Sequence, residues 1–150
     1  MHGGKGMKKV WRIGAVTATA FAMALGFTGS ASAAGYVAKA VNVSSSPDFT
    51  KVHCTNVAYA KHKAAGRACF EPYGDEFWVL DMSADGYYVE MYGQVADGYR
   101  CEDHKGAAAG WTRCDGFSSK IPEGKRMVFF TGVMDKGKMV SSSTDWFATT

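Results

Sequence analysis

From about residue 51 onward, short stretches of alternating apolar and polar residues follow one another, with turn residues between them. The clearest alternation covers residues 87–95. One face of this stretch carries Tyr87, Val89, Met91 and Val95, and the other carries Tyr88, Glu90, Tyr92 and Gln94. This pattern predicts an antiparallel strand with one face in the core and one face in solvent.

Similar stretches predict six further strands, at residues 52–59, 77–82, 99–102, 111–115, 125–134 and 138–147. Phe77, Val79, Phe129 and Phe130 are the core candidates among them. The alanine-rich residues 61–68 are compatible with a helical turn that ends at Gly66. Asp85-Gly86 is the strongest local hairpin signal. Regularly spaced strands with turns between them indicate an all-β fold, and we predict a single small antiparallel β-sandwich over residues 51–150.

The first 33 residues have a different composition, which is typical of a secretory signal peptide. Four basic residues precede an uncharged apolar run at 13–27, and small residues follow at 29–34. Cleavage after Ala33 and cleavage after Ala34 both fit, and either Met1 or Met7 can be the start. The apolar run is shorter than the ~20 residues that a spanning helix needs. We therefore expect a secreted, extracellular product with no membrane segment in its mature form.

Removal of this leader changes the charge of the protein. The whole chain has 17 basic and 14 acidic residues and a net charge of +3. Four basic residues, Lys5, Lys8, Lys9 and Arg12, lie in the leader, so 17 less 4 leaves 13 basic residues against 14 acidic ones. The mature chain therefore has a net charge of −1, and its composition provides no basic surface for nucleic acid.

All four cysteines lie after the leader: Cys54, Cys69, Cys101 and Cys114. An even number of cysteines in an exported chain predicts two disulfides. Three pairings are possible, and we favour Cys54–Cys69 with Cys101–Cys114 because near neighbours with turn residues between them close most easily. A zinc site with Cys101, His104 and Cys114 is the alternative, although the close cysteine pairs typical of zinc sites are missing. We predict no metal and no cofactor.

Residues 34–50 have no sustained periodicity, and we interpret them as an extended N-terminal arm with a short strand at 36–43. The alternatives are a disordered terminus and a segment that docks on a partner's sheet edge. In the second case the arm residues Tyr36, Val37, Val41 and Val43 would contact the partner.

The search for catalytic residues finds no nucleophile elbow, no phosphate-binding loop and no calcium loop. Acidic residues are concentrated at 71–81, but turn chemistry accounts for them, and nothing in the pattern brings two of them together. A small hydrolase that uses Glu71, Asp75 or Asp81 with a histidine is therefore the weakest of three hypotheses, and we predict that the protein is not an enzyme.

The mature chain is rich in aromatic residues, with seven Phe, seven Tyr and three Trp after the leader. Exposed tyrosine and tryptophan are enriched at binding surfaces. Our first hypothesis is a non-enzymatic adaptor or subunit that binds another secreted protein. The second is a carbohydrate-binding or inhibitor module whose contact platform is Tyr88, Tyr92 and Trp111.

The sequence ACFEPYGDEFWVLDMSADG, together with Cys101, Trp111-x-x-Cys114 and Pro122-x-Gly124, resembles the small secreted four-cysteine β-sandwich proteins of filamentous actinobacteria. Size, export and the layout of arm and sandwich are also similar to the B-type adaptor subunit of umbrella toxin particles. That subunit links a toxin chain to a lectin subunit. The resemblance implies that the arm at 34–50 faces a lectin and that the sandwich holds a toxin chain.

Overall fold

The computed structural model describes residues 35–150, and the predicted leader with both cleavage positions lies outside this range. The described chain contains eleven strands and one short 3-10 turn at Ala107–Ala109. The strands are β1 (Tyr36–Lys39), β2 (Val41–Asn42), β3 (His53–Tyr59), β4 (His62–Glu71), β5 (Glu76–Asp81), β6 (Tyr88–Gln94), β7 (Gly98–Asp103), β8 (Trp111–Cys114), β9 (Arg126–Asp135), β10 (Lys138–Ser142) and β11 (Trp146–Thr149).

The strands form two sheets that pack face to face, which confirms the predicted β-sandwich. Sheet A has the order β1-β7-β6-β9-β10, and β11 also pairs with β9. Sheet B has the order β2-β8-β5-β4-β3. Every pairing is antiparallel except that of β1 with β7, which is parallel. The parallel pair arises because β1 comes from the N-terminal arm and is not joined to β7 by a hairpin.

The core fills the space between the inner faces of the two sheets. Phe70 and Phe77 of sheet B meet edge to face, with ring centroids 5.5 Å apart, and Phe70 also packs against Phe129 of sheet A. All three rings are fully buried. Burial of a side chain of this size contributes about 1.5–3 kcal/mol, so these rings are a main source of the sandwich's stability.

Both predicted disulfides are present, with the favoured pairing. Cys54–Cys69 joins the neighbouring strands β3 and β4 on the outer side of sheet B. Cys101–Cys114 joins β7 of sheet A to β8 of sheet B and belongs to the core. The first bridge therefore fixes one sheet, and the second fixes the two sheets to each other.

The arm is extended as predicted, and it forms the edges of both sheets. β1 pairs with β7 of sheet A, and β2 pairs with β8 of sheet B. Between the two strands Ala40 is buried, and its N–H donates to the carbonyl oxygen of Glu102 at 2.9 Å. Residues 36–42 therefore take part in the pairing of the sandwich itself.

Three local predictions were wrong. The alternative helical turn at 61–68 is part of β4, where Gly66 allows the sheets to approach, since a Cβ there would lie 2.6 Å from Val89 Cγ2. Asp85-Gly86 does not close a hairpin, because β5 and β6 belong to different sheets. The stretch at 138–147 is interrupted at Ser143, whose side-chain oxygen accepts the hydrogen bond of Thr131 N–H in place of a strand carbonyl.

Candidate functional site

The outer side of sheet A, which we call face A, presents apolar side chains across neighbouring strands. Register places Val37 beside Arg100, Tyr92 beside Phe130 and Val128 beside Phe147. The rings of Tyr92 and Phe130 lie 5.2 Å apart. Val37 is 55% exposed and Phe147 is 46% exposed, while Tyr92 and Phe130 are half-buried. No described residue is seen to stack on the outer side of the Tyr92–Phe130 pair.

Phe130 was predicted to lie in the core with Phe129, and this prediction was wrong for Phe130. Consecutive residues of a strand point to opposite faces, so only one of the two rings can face the other sheet. Phe129 is fully buried in the core, and Phe130 therefore faces outward. Two consecutive apolar residues in one strand therefore indicate that the sheet has an apolar side chain on its outer face as well as in the core.

A polar cluster borders the apolar part of face A. Arg100 Nη2 donates to Glu90 Oε2 and to Glu102 Oε1, each at 2.9 Å. Glu102 Oε2 lies 2.9 Å from His104 Nε2, and the His104 ring packs on Tyr88 with centroids 4.2 Å apart. This cluster gives face A a polar border with an arginine at its centre.

Glu90 is the part of this cluster that periodicity assigned wrongly. The alternation at 87–95 placed it on a solvent-facing side, whereas it is 2% exposed. Burial raises the pKa of Glu90, and the hydrogen bond and charge of Arg100 oppose that effect. The guanidinium of Arg100 compensates the buried carboxylate, which holds the polar border of face A in place.

The outer side of sheet B, which we call face B, holds two of the seven predicted contact residues, Val41 and Trp111. Trp78 is 4% exposed there, and the Arg113 guanidinium lies 5.2 Å from its ring centroid. Phe49, from the segment after β2, packs edge-on against Trp111 at 5.9 Å. The guanidinium of Arg67 lies 5.1 Å from the Phe49 ring. Residues after β2 therefore cover part of face B.

The predicted contact residues divide between these faces. Val37, Tyr88 and Tyr92 come together on face A, and Val41 and Trp111 lie on face B. Tyr36 points to the inner side and stacks on Tyr99 at 5.3 Å, and Val43 is half-buried after β2. The platform of Tyr88, Tyr92 and Trp111 is therefore not a single surface, because Trp111 is in the other sheet.

The acidic residues of the hydrolase hypothesis are also separated. Glu71 pairs with Glu76 at the start of β5, and Asp81 is the last residue of that strand. Asp75 lies in the turn between β4 and β5, where burial and the nearby charge of Glu123 raise its pKa to about 6. Glu71 and Asp75 therefore lie at one end of β5 and Asp81 at the other. Of the three acids, Asp81 lines a cavity that a histidine, His104, also lines.

Two remaining points concern metal ligands and membrane-spanning helices. Within residues 35–150 no group of three or more His, Cys, Asp or Glu side chains is placed to hold a metal ion. The two thiols of the alternative zinc arrangement are joined in the Cys101–Cys114 disulfide. The same part of the chain has no helix of the length and apolar character that crossing a bilayer requires.

The fold and face A define a class of protein: a small two-sheet β-sandwich with two disulfides and an apolar outer face. No family model, curated protein or solved structure matches the chain. The function is therefore argued from the geometry of the chain itself.

Proposed function

We propose that this chain is an exported, non-enzymatic binding protein that acts as an adaptor or subunit of an extracellular complex and contacts its protein partner through face A. The observation that carries the proposal is the pair of half-buried rings, Tyr92 and Phe130, at the centre of an apolar sheet surface. A lectin or a toxin chain is the kind of partner that the sequence resemblance implies.

The dimensions of face A favour a macromolecular partner. From Val37 on β1 to Phe147 on β11 the face crosses five strands, β1, β7, β6, β9 and β11. Neighbouring strands lie about 4.8 Å apart, so this width is roughly 19 Å. A flat surface of that width suits a protein interface, which typically buries about 800 Å² on each partner.

The chemistry of face A is also that of an interface. Protein interfaces have an apolar, aromatic centre with a polar rim in which arginine is enriched. Tyr92 and Phe130 supply such a centre, and the Arg100 cluster with Glu90 and Glu102 supplies the polar border. Export is supported by the predicted leader and by the two disulfides, which form in oxidising compartments.

The test is purification of the tagged protein from culture supernatant, followed by light scattering and mass spectrometry of the resulting complex. We expect a complex of fixed stoichiometry. The double variant Tyr92→Ala with Phe130→Ala should weaken it by at least about 100-fold, since two central aromatic contacts are lost. Tyr73→Ala is the matched control, because Tyr73 is 85% exposed and lies in the turn between β4 and β5, away from face A.

Two outcomes contradict the proposal. A wild-type protein that is always monomeric argues against an adaptor. A complex that survives the double variant unchanged shows that its interface lies elsewhere on the molecule.

Carbohydrate binding is a second candidate, and the polar border of face A favours it. Sugar sites combine an aromatic ring with charged hydrogen-bonding groups, and Tyr88 lies beside His104 and the Glu102–Arg100 pair. The test is retention on cellulose or chitin. Retention that is lost in Tyr88→Ala and kept in Trp111→Ala would support carbohydrate binding in place of a protein partner.

A further inference from the structure

A cavity of about 490 Å³ lies at the end of the sandwich where β5 and β7 both finish. Its walls come from the connection after β5 and from the connection between β7 and β8. The apolar part of the lining consists of alanine and tyrosine side chains: Ala84, Tyr87, Tyr88, Ala107 and Ala108. The polar part includes Asp81, Ser83 and Asp103.

Each of these three polar residues has a buried oxygen with no hydrogen-bond partner in the described chain. Asp81 is 3% exposed, Ser83 is 5% exposed and Asp103 is fully buried. Asp81 Oδ1 accepts from Ser83 N–H, and Asp103 Oδ1 accepts from Lys105 N–H, each at 2.9 Å. Asp81 Oδ2, Asp103 Oδ2 and Ser83 Oγ remain without a partner.

Unpartnered buried oxygens are costly, and charged ones are the most costly. A buried acceptor that makes no hydrogen bond loses the hydrogen bonds that water makes to it in the unfolded chain, and a carboxylate loses more than a hydroxyl. A single group that donates several hydrogen bonds could satisfy all three of these atoms from within the cavity. The unpartnered hydroxyl of Ser83 supports a binding site here independently of the two carboxylates.

Within the described chain the two carboxylates of the cavity lining have no ion-pair partner, although His104 and Lys105 also line the cavity. Among residues 35–150 neither Asp81 nor Asp103 forms an ion pair, and the exposed side chain of Lys105 also has no acidic partner within salt-bridge distance. Burial raises the pKa of Asp81 to about 6, and the nearby charges of Asp103 and Asp85 add to this effect. Burial likewise raises the pKa of Asp103, while hydrogen bonds from Lys105 N–H, the Thr112 side chain and Asp81 N–H, together with the charge of His104, act in the opposite direction. A positive group between the two carboxylates would relieve their repulsion.

We propose that this cavity binds an organic cation, an ammonium or guanidinium group on a short apolar stem. The cationic head would donate hydrogen bonds to Asp81 Oδ2, Asp103 Oδ2 and Ser83 Oγ, because an ammonium has three N–H donors and a guanidinium has five. The stem would pack on the alanine and tyrosine walls. The cavity shares Tyr88 and His104 with the polar border of face A, but the central pair Tyr92 and Phe130 is not part of its lining.

A divalent metal is a poorer match to the same residues. Calcium takes six to eight oxygen ligands, with several carboxylates among them. Only two carboxylates reach this cavity lining, and the described chain has no group of three metal-binding side chains. The apolar walls also have no role around a hydrated ion, whereas they suit an alkyl stem.

The test compares butylguanidine with butylurea by NMR titration of the wild-type protein with both disulfides intact. The two compounds have nearly the same shape, and only the first is charged. We expect butylguanidine and butylamine to bind saturably, with shifts in the amides of Ser83 and Lys105. Butylurea should bind at least about tenfold more weakly, because a charge-assisted hydrogen bond is about twice as strong as a neutral one.

The site variants are Asp103→Asn and Ser83→Ala. Asp103→Asn keeps an oxygen for Lys105 N–H and removes the charge, so we expect binding at least about tenfold weaker. Ser83→Ala should weaken binding by a smaller factor, about threefold. Asp97→Asn is the matched control, since Asp97 is exposed and lies at the opposite end of β7 from Asp103, and its binding should equal that of wild type.

The result overturns the proposal if neither cation binds, if butylurea binds as tightly as butylguanidine, or if calcium binds and no organic cation displaces it. If Asp103→Asn does not fold, the wild-type comparison of the charged and neutral compounds still decides. The double variant Tyr92→Ala with Phe130→Ala should bind butylguanidine normally. The proposal for the cavity and the proposal for face A can therefore be refuted separately.

Discussion

Faces A and B are the two outer surfaces of the same sandwich, and they differ in what covers them. On face B the segment after β2 folds back, so that Phe49 packs on Trp111 and on Arg67. Trp78 of that face is nearly inaccessible and Trp111 is half-buried, while Phe49 itself is 51% exposed. On face A the rings of Tyr92 and Phe130 are half-buried, and Val37 and Phe147 are about half-exposed beside them.

This difference teaches that aromatic content alone does not identify a binding surface. Both faces carry aromatic residues, but face B uses them as a small outer core beneath its own chain. Face A leaves them for another molecule or for solvent. A large apolar patch on a soluble protein usually marks an interaction site, so the uncovered face is the better candidate.

The largest expected difference between the faces is in stability. Trp78→Ala should lower the free energy of unfolding by about 3–5 kcal/mol, because the ring is buried and its loss leaves a cavity. Phe130→Ala on face A should cost no more than about 2 kcal/mol, since the ring is only half-buried. Urea unfolding of both variants measures this difference, and equal losses would show that face A is a structural surface like face B.

The second largest effect should be the loss of stability on removal of the disulfide on face B. Replacing Cys54 and Cys69 together by alanine opens a loop with a sequence separation of 15 residues, which costs about 3 kcal/mol. We expect lower stability, read from the urea midpoint, with unchanged complex formation through face A. Loss of the complex in a variant that is still folded would contradict the independence of the two faces.

A third prediction concerns two buried carboxyl groups at the ends of β5, which make the stability of the fold depend on pH. The pKa values of Asp75 and Asp81 are each raised to about 6 in the folded state. The folded protein therefore binds protons more strongly than the unfolded chain, so stability rises as pH falls through 6. From about pH 7 to about pH 5 the gain should be roughly 1 kcal/mol for each carboxyl.

Asp75→Asn is the informative variant for this pH dependence. Its backbone has φ of 53°, a conformation that asparagine tolerates well, so the substitution should not strain the turn. The variant should lose about half of the stability gain between the two pH values. A wild-type protein that becomes less stable over the same range would show that other groups dominate its titration.

Local pattern predicted the strands and the disulfide pairing, because both depend on residues close together in the sequence. Strand boundaries at 53–59 and 76–81 lie within one residue of the predicted ones. The pairing of Cys101 with Cys114 followed from their short separation. The short separation did not predict that this disulfide joins two sheets, because the pattern does not show that β7 and β8 belong to different sheets.

Features that arise from packing between distant elements could not be predicted. Asp81 and Asp103 meet only because β5 and β7 end at the same side of the sandwich. Phe49 covers Trp111 through a segment without periodicity. Glu90 lies on the face that alternation assigns to solvent, and its burial depends on Arg100 of the next strand. In each case the deciding contact is long-range.

The smallest predicted effect is the most direct test of the comparison between the faces. Phe49→Ala removes the edge-to-face contact with Trp111 and the contact with the Arg67 guanidinium, so stability should fall by only about 1–2 kcal/mol. The substitution should also make face B resemble face A, because Trp111 would gain solvent exposure. Tryptophan emission should shift to longer wavelength and binding of a hydrophobic dye should increase.

Tyr73→Ala, which removes an exposed ring with no partner among the described aromatic contacts, should change neither signal. An unchanged emission spectrum in Phe49→Ala would mean that the segment after β2 does not cover face B in solution, and the distinction between the two faces would then be lost.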